Sequence, residues 1–414
     1  MVTVNIDSQS NNNVLIIGAG EAGGRISEEF FNQGFPKVLA INTAKADLDG
    51  LNLSEDCKFL IPVTKGEGAG KDPSVIRNSI DSFYDNVLNF IKEKIDGQDA
   101  ALICVGGGGG TGGGLGIVLA EMASSLGLNV GLVFTLPIKN ESTLVFVNSL
   151  HNLNEIYENV KNAAISPFIV VDNNELFNRY NPSVSNFWKP INGAIVQVVK
   201  SFNEYSLRPS KYISALDRKD LQRIWSVGGS CAIGSCDIQS VDTAETIMDK
   251  LDKSFFMSGF DLRTAKSAGV IIVGSEETLG TTESAKVVNT VFDKMGNMLG
   301  GGMFFRGVYS EKDIKFLKVY VVFNGMTLPE DRINEMMKEI NAGYGKIKSQ
   351  ENRIDGVFFD LDKKVSGVFG NNPSSQGSKQ IVRGSSPYDA PKQGQTPTAR
   401  QPVQIPGVQR KDRR

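Results

Sequence analysis

Apolar and polar positions along this chain change period again and again. Residues 14–17 form a short, continuous apolar run of β type, followed at once by glycines and then by a helix-like stretch at 25–33. A second apolar run covers 38–41, and a third, at 59–63, leads into a glycine-rich loop. The helical period then holds from 73 to 95. Strand-like runs at 100–105, 130–136 and 168–171 enclose a further helical stretch at 115–126. This alternation predicts an α/β fold, with a mostly parallel sheet covered by helices on both faces. Ligands of such sheets sit at the carboxyl ends of the strands.

The pattern from 192 to 204 is helical and apolar around its whole circumference, with Ile195, Val196, Val198, Val199 and Phe202, which predicts a helix buried between domains. Strand-like runs follow at 230–233, 269–273 and 317–323, with a helical stretch at 284–295 between the last two. This region reads as a smaller α+β domain, in which Gly300, Gly301 and Gly302 make a turn. A helical stretch at 330–340 comes next. Beyond Gly370 the composition shifts to Pro, Gln, Ser and Gly, too poor in aliphatic residues to bury a core. Residues 371–414 hold eight Lys and Arg against two Asp, and end in Arg410-Lys411-Asp412-Arg413-Arg414. Such a tail is either inert and solvated or a tether for an acidic partner or for DNA.

Composition narrows the function. The 414 residues suggest two or three domains. A net charge of −2 argues against a generally basic nucleic-acid-binding chain. No apolar run is long enough for a membrane span, and residues 1–13 are polar, without a signal-peptide core. Cys57, Cys104, Cys231 and Cys236 are scattered, mostly in strand-like runs, and read as reduced core residues of a cytoplasmic protein. Cys231 and Cys236 lack the second Cys or His pair of a zinc site. The single histidine, His151, lies in a helical pattern, so any triad or His-ligated metal would have to use it alone.

The strongest chemical signal is GGGGGTGGGLG at 106–116, set between a strand and a helix. Glycine lacks Cβ, so such a loop can expose successive backbone N–H groups to phosphates, and the following helix aims its positive end at the same place. Thr111 adds a hydroxyl. A second glycine turn, Gly18-Ala19-Gly20-Glu21-Ala22-Gly23, is formally a dinucleotide fingerprint. That fingerprint wants an acid at the end of the second strand, and here the strand ends Ile41-Asn42-Thr43. A third loop, Gly66-Glu67-Gly68-Ala69-Gly70-Lys71-Asp72-Pro73, fails as a P-loop. Lys65 stands where its first glycine belongs, and Asp72 where Ser or Thr must meet magnesium.

Three glycine loops on one sheet resemble the tubulin/FtsZ family, whose signature is G-G-G-T-G-[SAT]-G. Gly108-Gly109-Gly110-Thr111-Gly112-Gly113-Gly114 matches it except at Gly113, where the family has a small side chain. The resemblance runs over about 14–325. It implies an N-terminal Rossmann-like GTP-binding domain at 14–190 and a long central helix at 191–207. A smaller α+β domain at 208–328, a helical extension at 329–370 and a disordered basic tail at 371–414 would follow, with a flexible N-terminus at 1–13. It also implies GTP or GDP as ligand. The binding residues carried over are Gly18, Ala19, Gly20, Gly23, Gly24, Asn42, Gly68, Ala69, Gly70, Lys71, Gly107, Gly108, Gly109, Gly110, Thr111 and Gly112. Glu141 is expected at the ribose, Asn173 at guanine, Trp188 stacked on the base and Asn192 at its edge. An indole offers a broad π-face, and an amide both donates and accepts. Read without the family, Trp188 is a hydrophobic staple at a helix start, which Pro190 supports. Lys71 stands where a small residue is usual, and adds a charge. Magnesium would be held mainly by phosphate oxygens and water rather than by a protein cage.

Within this family the acids that position the attacking water come from the next subunit, in the pattern N-x-D-x-x-[DE]. Ala215-Leu216-Asp217-Arg218-Lys219-Asp220 keeps both acids and loses the asparagine, so Asp217 and Asp220 are the catalytic candidates. They read equally as a helix N-cap and its first turn. The resemblance thus implies head-to-tail protofilaments of the chain with itself, a GTPase activated by assembly, and no membrane partner. Glu21, Ala22, Arg25 and Val145 depart from cell-division FtsZ. The 133–137 stretch and the basic tail look more like the TubZ-type tubulins of plasmids and phages, whose tails engage a DNA-bound adaptor. An FtsZ-like division protein, a non-hydrolysing structural homologue and, from another class, an NAD-dependent oxidoreductase are the alternatives.

Overall fold

The computed structural model describes residues 13–161, 164–239 and 241–350, with side chains to 343. The tail, residues 1–12 of the expected N-terminal segment and residues 351–370 of the expected helical extension lie outside them. One sheet of ten strands runs through the described residues, in the order β3-β2-β1-β4-β5-β6-β7-β10-β8-β9. Its first six are β1 (Val14–Ala19), β2 (Val38–Asn42), β3 (Lys58–Leu60), β4 (Ala100–Gly106), β5 (Asn129–Leu136) and β6 (Phe168–Asp172). All of these pair in parallel. β7 (Ser230–Ile238) joins β6 in parallel through only Phe168 with Ser230 and Ile169 with Cys231. β10 (Leu317–Met326) lies antiparallel between β7 and β8 (Ser267–Gly274), and β9 (Met303–Ser310) closes the edge in parallel. The strands of the second region therefore continue the first sheet.

Alternation along β1 assigns its two faces: Leu15, Ile17 and Ala19 enter one core and Ile16 the other. On the first face pack α3 (Pro73–Lys94), α4 (Gly110–Ser125), α5 (Thr143–Val160) and the inward side of α12 (Glu330–Gln350). On the second pack α1 (Gly20–Asn32), α2 (Lys45–Asp49), α6 (Asn173–Tyr180), α7 (Trp188–Tyr205) and α8 (Arg218–Trp225). A third core lies between the far strands, α9 (Ala244–Asp252) and α11 (Thr282–Met298), which α10 (Glu276–Leu279) precedes. α7 is buried as its composition predicts: from Ile191 to Tyr205 no residue is exposed.

Two helices begin earlier than their apolar period predicts. α1 starts at Gly20 rather than at 25, and α4 at Gly110 rather than at 115, so glycines that read as loop are the first helical turns. Close packing is the reason. A Cβ at Gly114 would lie 2.6 Å from the Cβ of Ile76 on α3, and one at Gly23 would overlap the Cys104 carbonyl oxygen of β4. Helix propensity, unfavourable by about 1 kcal/mol per glycine, yields to that approach. β9 carries no plain period in the sequence, α9 is so short that its apolar spacing rests on Ile247 and Leu251, and α5 shows only a fragment of its own around His151. Among the described residues no helix is long and apolar enough to cross a membrane.

Candidate functional site

A cavity of about 430 Å³ opens at the carboxyl ends of β1, β2, β4, β5 and β6. The turn from β4 into α4 forms one wall, with Gly106 to Gly112 all lining it. Gly109 caps α4 in an extended conformation (φ −80°, ψ 158°) without a side-chain bond. The first intrahelical bond runs from the Gly113 N–H to the Gly109 carbonyl. Helix geometry leaves the N–H groups of Gly110, Thr111 and Gly112 without an acceptor one turn back, at the positive end of the helix. The Thr111 hydroxyl is committed within the protein, sharing a 2.7 Å buried hydrogen bond with the Thr43 hydroxyl.

Gly20 sits beside this turn at φ +71°, where a Cβ would come within 2.8 Å of the Gly112 nitrogen, so glycine is required on both counts. The third loop closes the opposite side. Lys65, Gly66, Gly68, Gly70 and Lys71 all have positive φ, which coils the segment tightly enough to seat Ala69 and the Asp72 nitrogen against Gly110. Asp72, which a P-loop would replace by Ser or Thr, caps α3 by accepting from the Ser74 N–H at 3.0 Å. Across the opening, Lys71 Nζ stands 3.7 Å from Glu141 Oε2, a half-exposed pair. Arg25 pairs with Glu21 at 3.0 Å on the rim of the same cavity.

The far end joins an aromatic ring to a side-chain amide. Asp172 caps α6 by accepting from the Asn174 N–H at 2.9 Å, which sets Asn173 at the first helical position facing the cavity. Asn173 is 7% exposed, and its Oδ1 has no hydrogen-bond partner among the described residues. An unpaired buried acceptor is costly, about 1–3 kcal/mol, unless a ligand meets it. Trp188 begins α7 and lines the cavity. Its ring meets Phe187 edge to face (centroids 4.7 Å apart), and Phe187 stacks on Phe177 at 5.4 Å.

Behind Asn173 lies a buried ion pair. Arg332 of α12 brings Nε to 2.6 Å from Asp172 Oδ2, both side chains under 5% exposed. Its Nη2 donates to Asp172 Oδ1 (3.4 Å) and to the Pro137 carbonyl (3.3 Å), and its Nη1 to Glu335 Oε2 (2.9 Å). Burial pushes the Asp172 carboxyl above its ordinary range, and Arg332 pulls it part of the way back.

Of the expected binding residues, the structure gathers Ala19, Gly20, Asn42, Gly68, Ala69, Gly70, Lys71, Gly107, Gly108, Gly109, Gly110, Thr111, Gly112, Glu141, Asn173 and Trp188 around one cavity. Gly18, Gly23, Gly24 and Asn192 do not line it. Gly18 and Gly23 allow the start of α1 to lie against β1 and β4, and Gly24 packs on Leu51. Asn192 is buried, one turn of α7 behind Trp188. Asn42 is largely occupied by its own turn: Oδ1 accepts from the Thr43 and Ala44 N–H groups, and Nδ2 donates to Asp47. Sequence reasoning passed over three lining residues: Asp47 and Thr135, which nothing but the fold brings here, and Glu67, which stands beside Gly68 in the third glycine loop.

Asp217 and Asp220 lie outside this cavity, at the start of α8. They form a capping box: Asp217 Oδ1 accepts from the Asp220 N–H (2.9 Å) and Asp220 Oδ2 from the Asp217 N–H (3.2 Å). The loop before them is pinned to β9, because the buried Tyr309 hydroxyl both accepts from the Leu216 N–H (2.8 Å) and donates to the Leu216 carbonyl (2.9 Å).

Known proteins resemble this chain in sequence and in fold. Residues 13–181 match the tubulin/FtsZ family, GTPase domain. Cell division protein FtsZ 2 of Methanocaldococcus jannaschii is 27% identical over 64% of this chain and 68% of its own length. Cell division protein FtsZ 1 of Thermococcus kodakarensis is 26% identical over 83% and 87%. Among solved structures, TubZ of Bacillus thuringiensis serovar israelensis, seen as GDP-form protofilaments, superposes with a TM-score of 0.70 at 20% identity, over 83% of this chain and 95% of its own. CetZ2 from Haloferax volcanii, a GTPγS-bound protofilament, gives 0.64 at 23% identity, over 81% and 99%. Residues 13–181 are a GTPase domain of the tubulin/FtsZ family.

Proposed function

We propose that the cavity binds GTP and that a second copy of the chain, docked head to tail, completes it for hydrolysis. One observation carries this reading. The cavity has backbone donors at one end and an aromatic with an unpaired amide oxygen at the other, yet Asp217 and Asp220 stand outside it, Asp217 exposed and Asp220 half-exposed. The N–H groups at the start of α4 and in the 68–71 loop bind the phosphates, Glu141 the ribose, and Asn173 and Trp188 the base. Magnesium takes its ligands from phosphate oxygens and water. Asp47 and Glu67 line the cavity and suit contacts to that water shell. In the neighbouring copy, Asp217 and Asp220 orient the attacking water and accept its proton late in phosphoryl transfer.

The test is phosphate release and light scattering after adding GTP and magnesium, across protein concentrations. A scattering rise above a critical concentration, with turnover rising steeply beside it, is expected. Asp217→Asn and Asp220→Asn preserve an oxygen for the cap, and should leave GTP binding unchanged while turnover falls at least a hundredfold. Normal turnover in both variants refutes the shared site.

The filament's work follows two readings. The basic residues of 371–414 support a TubZ-like role in moving or segregating plasmid or phage DNA, with the tail engaging a DNA-bound adaptor. The curated relatives, which are cell division proteins, support an FtsZ-like role. Removing 371–414 separates them. Loss of inheritance of a plasmid or phage, with division intact, favours the first; failed division favours the second.

A further inference from the structure

The glycine turn departs from its family pattern at Gly113, and the structure places a side chain in the space that this departure leaves. A Cβ on Gly113 would overlap Nδ2 of Asn152, which reaches in from α5. That amide nitrogen donates to the Gly107 carbonyl at 2.7 Å. One turn earlier on α5, Asn148 Nδ2 donates to the Lys71 carbonyl at 2.7 Å and, more loosely, to the Gly108 carbonyl at 3.4 Å. Both asparagines are buried, at 0% and 2% exposure.

The orientation of Asn152 is fixed by a group that can only donate. Arg77 Nη2 donates to Asn152 Oδ1 at 2.8 Å, and to Glu155 Oε2 at 2.5 Å. A guanidinium has no acceptor, so the amide oxygen must face Arg77 and the NH₂ must face Gly107. In a trans peptide the C=O and the next N–H point in opposite directions. Holding the Gly107 carbonyl toward α5 therefore turns the Gly108 N–H the other way, toward the cavity that Gly108 lines. Holding the Gly108 carbonyl does the same for the Gly109 N–H.

We infer that Asn152, backed by Arg77 and seconded by Asn148, is a positioning residue that aims the N–H groups of the phosphate-binding turn, and that Gly113 is glycine because Asn152 occupies the space of its side chain. The inference rests on the proposed binding of phosphates at this turn. It couples the departure at Gly113 to the amide at 152.

A binding cycle tests it, with a fluorescent GTP analogue as probe and with GTP, GDP and guanosine as competitors. Asn152→Ala leaves a buried carbonyl without its donor and frees the 107–108 peptide to rotate. GTP and GDP should bind about tenfold more weakly, the worth of one buried hydrogen bond, while guanosine affinity holds. Gly113→Ala alone should lose at least as much, through overlap with Asn152. Gly113→Ala with Asn152→Ala should lose no more than Asn152→Ala alone, since the methyl then fills the vacated space. Additive losses, an Asn152→Ala variant that binds GTP as wild type does, or equal losses for guanosine and GTP each overturn the inference. Should Gly113→Ala fail to fold, the double variant decides alone: folding with the affinity of Asn152→Ala supports the coupling, and a further loss overturns it. A wild-type chain that binds no GTP sinks the proposed function instead.

Discussion

Replacing Arg332 with methionine tests how α12 supports the Asn173 end of the cavity. Arg332 and Asp172 are 3% and 4% exposed and meet at 2.6 Å. Methionine fills much of the stem's volume but strands the carboxylate in a dry site. Removing one member of a buried pair costs about 3–5 kcal/mol, mostly the desolvation of the charge left behind. The pH dependence supplies a second signature. Burial already holds the Asp172 carboxyl above its unfolded value. A carboxyl raised in the folded state binds its proton more tightly there, so its contribution to stability is greatest in acid and is lost as pH rises through the folded value. Without Arg332 the folded value rises further, and the loss extends to higher pH. The variant should therefore be about 3–5 kcal/mol less stable than wild type at neutral pH, and the gap should narrow on acidification. Urea unfolding of both proteins at several pH values, followed by the fluorescence of Trp188 and Trp225, measures this. Asp172→Asn added to Arg332→Met should recover most of the loss, because the amide keeps the cap to Asn174 without a charge. A gap that is constant with pH, or a double variant no better than the single, refutes the role given to this pair.

Three further outcomes are expected. Gly23→Ala would drive a methyl into the Cys104 carbonyl of β4, so overpacking should cost about 1–3 kcal/mol or more by thermal melting; a Tm within a degree of wild type would mean α1 moves freely on the sheet. Tyr309→Phe removes both hydrogen bonds to Leu216 and should cost about 1–3 kcal/mol, slowing turnover without weakening GTP binding; unchanged turnover would show that the Asp217 loop needs no anchor. In a Trp225→Phe variant, Trp188 is the one remaining tryptophan, and its emission should change on saturation with GTP; constant emission would place the base away from the indole.

The strands other than β9 were legible because their apolar runs are continuous, and the cavity because glycine turns follow three strands. What the sequence could not show has a common physical cause. Gly18, Gly23 and Gly24 read as ligand contacts since a glycine allows close approach, but the sequence does not say whether phosphate or another backbone approaches. Here it is β1, β4 and Leu51. The early starts of α1 and α4 were hidden because propensity disfavours glycine in a helix, whereas packing rewards it. Asp47, Asn148, Asn152 and Arg332 stand at the cavity or behind its walls across long sequence separations, and no local pattern marks them. Asp217 and Asp220 were readable as a cap from spacing alone, and the structure has that cap.

α7 also works as a gauge. Trp188 at its first position lines the cavity, and Tyr205 at its last stacks on Tyr309, which clamps the loop of Asp217. The rod between them is about 26 Å long at 1.5 Å per residue. Substitutions along it change its fit and leave its length alone. Inserting or deleting a single residue shifts one end by about 1.5 Å and swings it by about 100°, so Trp188 and Tyr205 could not both keep their seats. The count of residues in this helix is therefore held more tightly than their identity, and length variants should be rarer there than in any exposed loop of the chain.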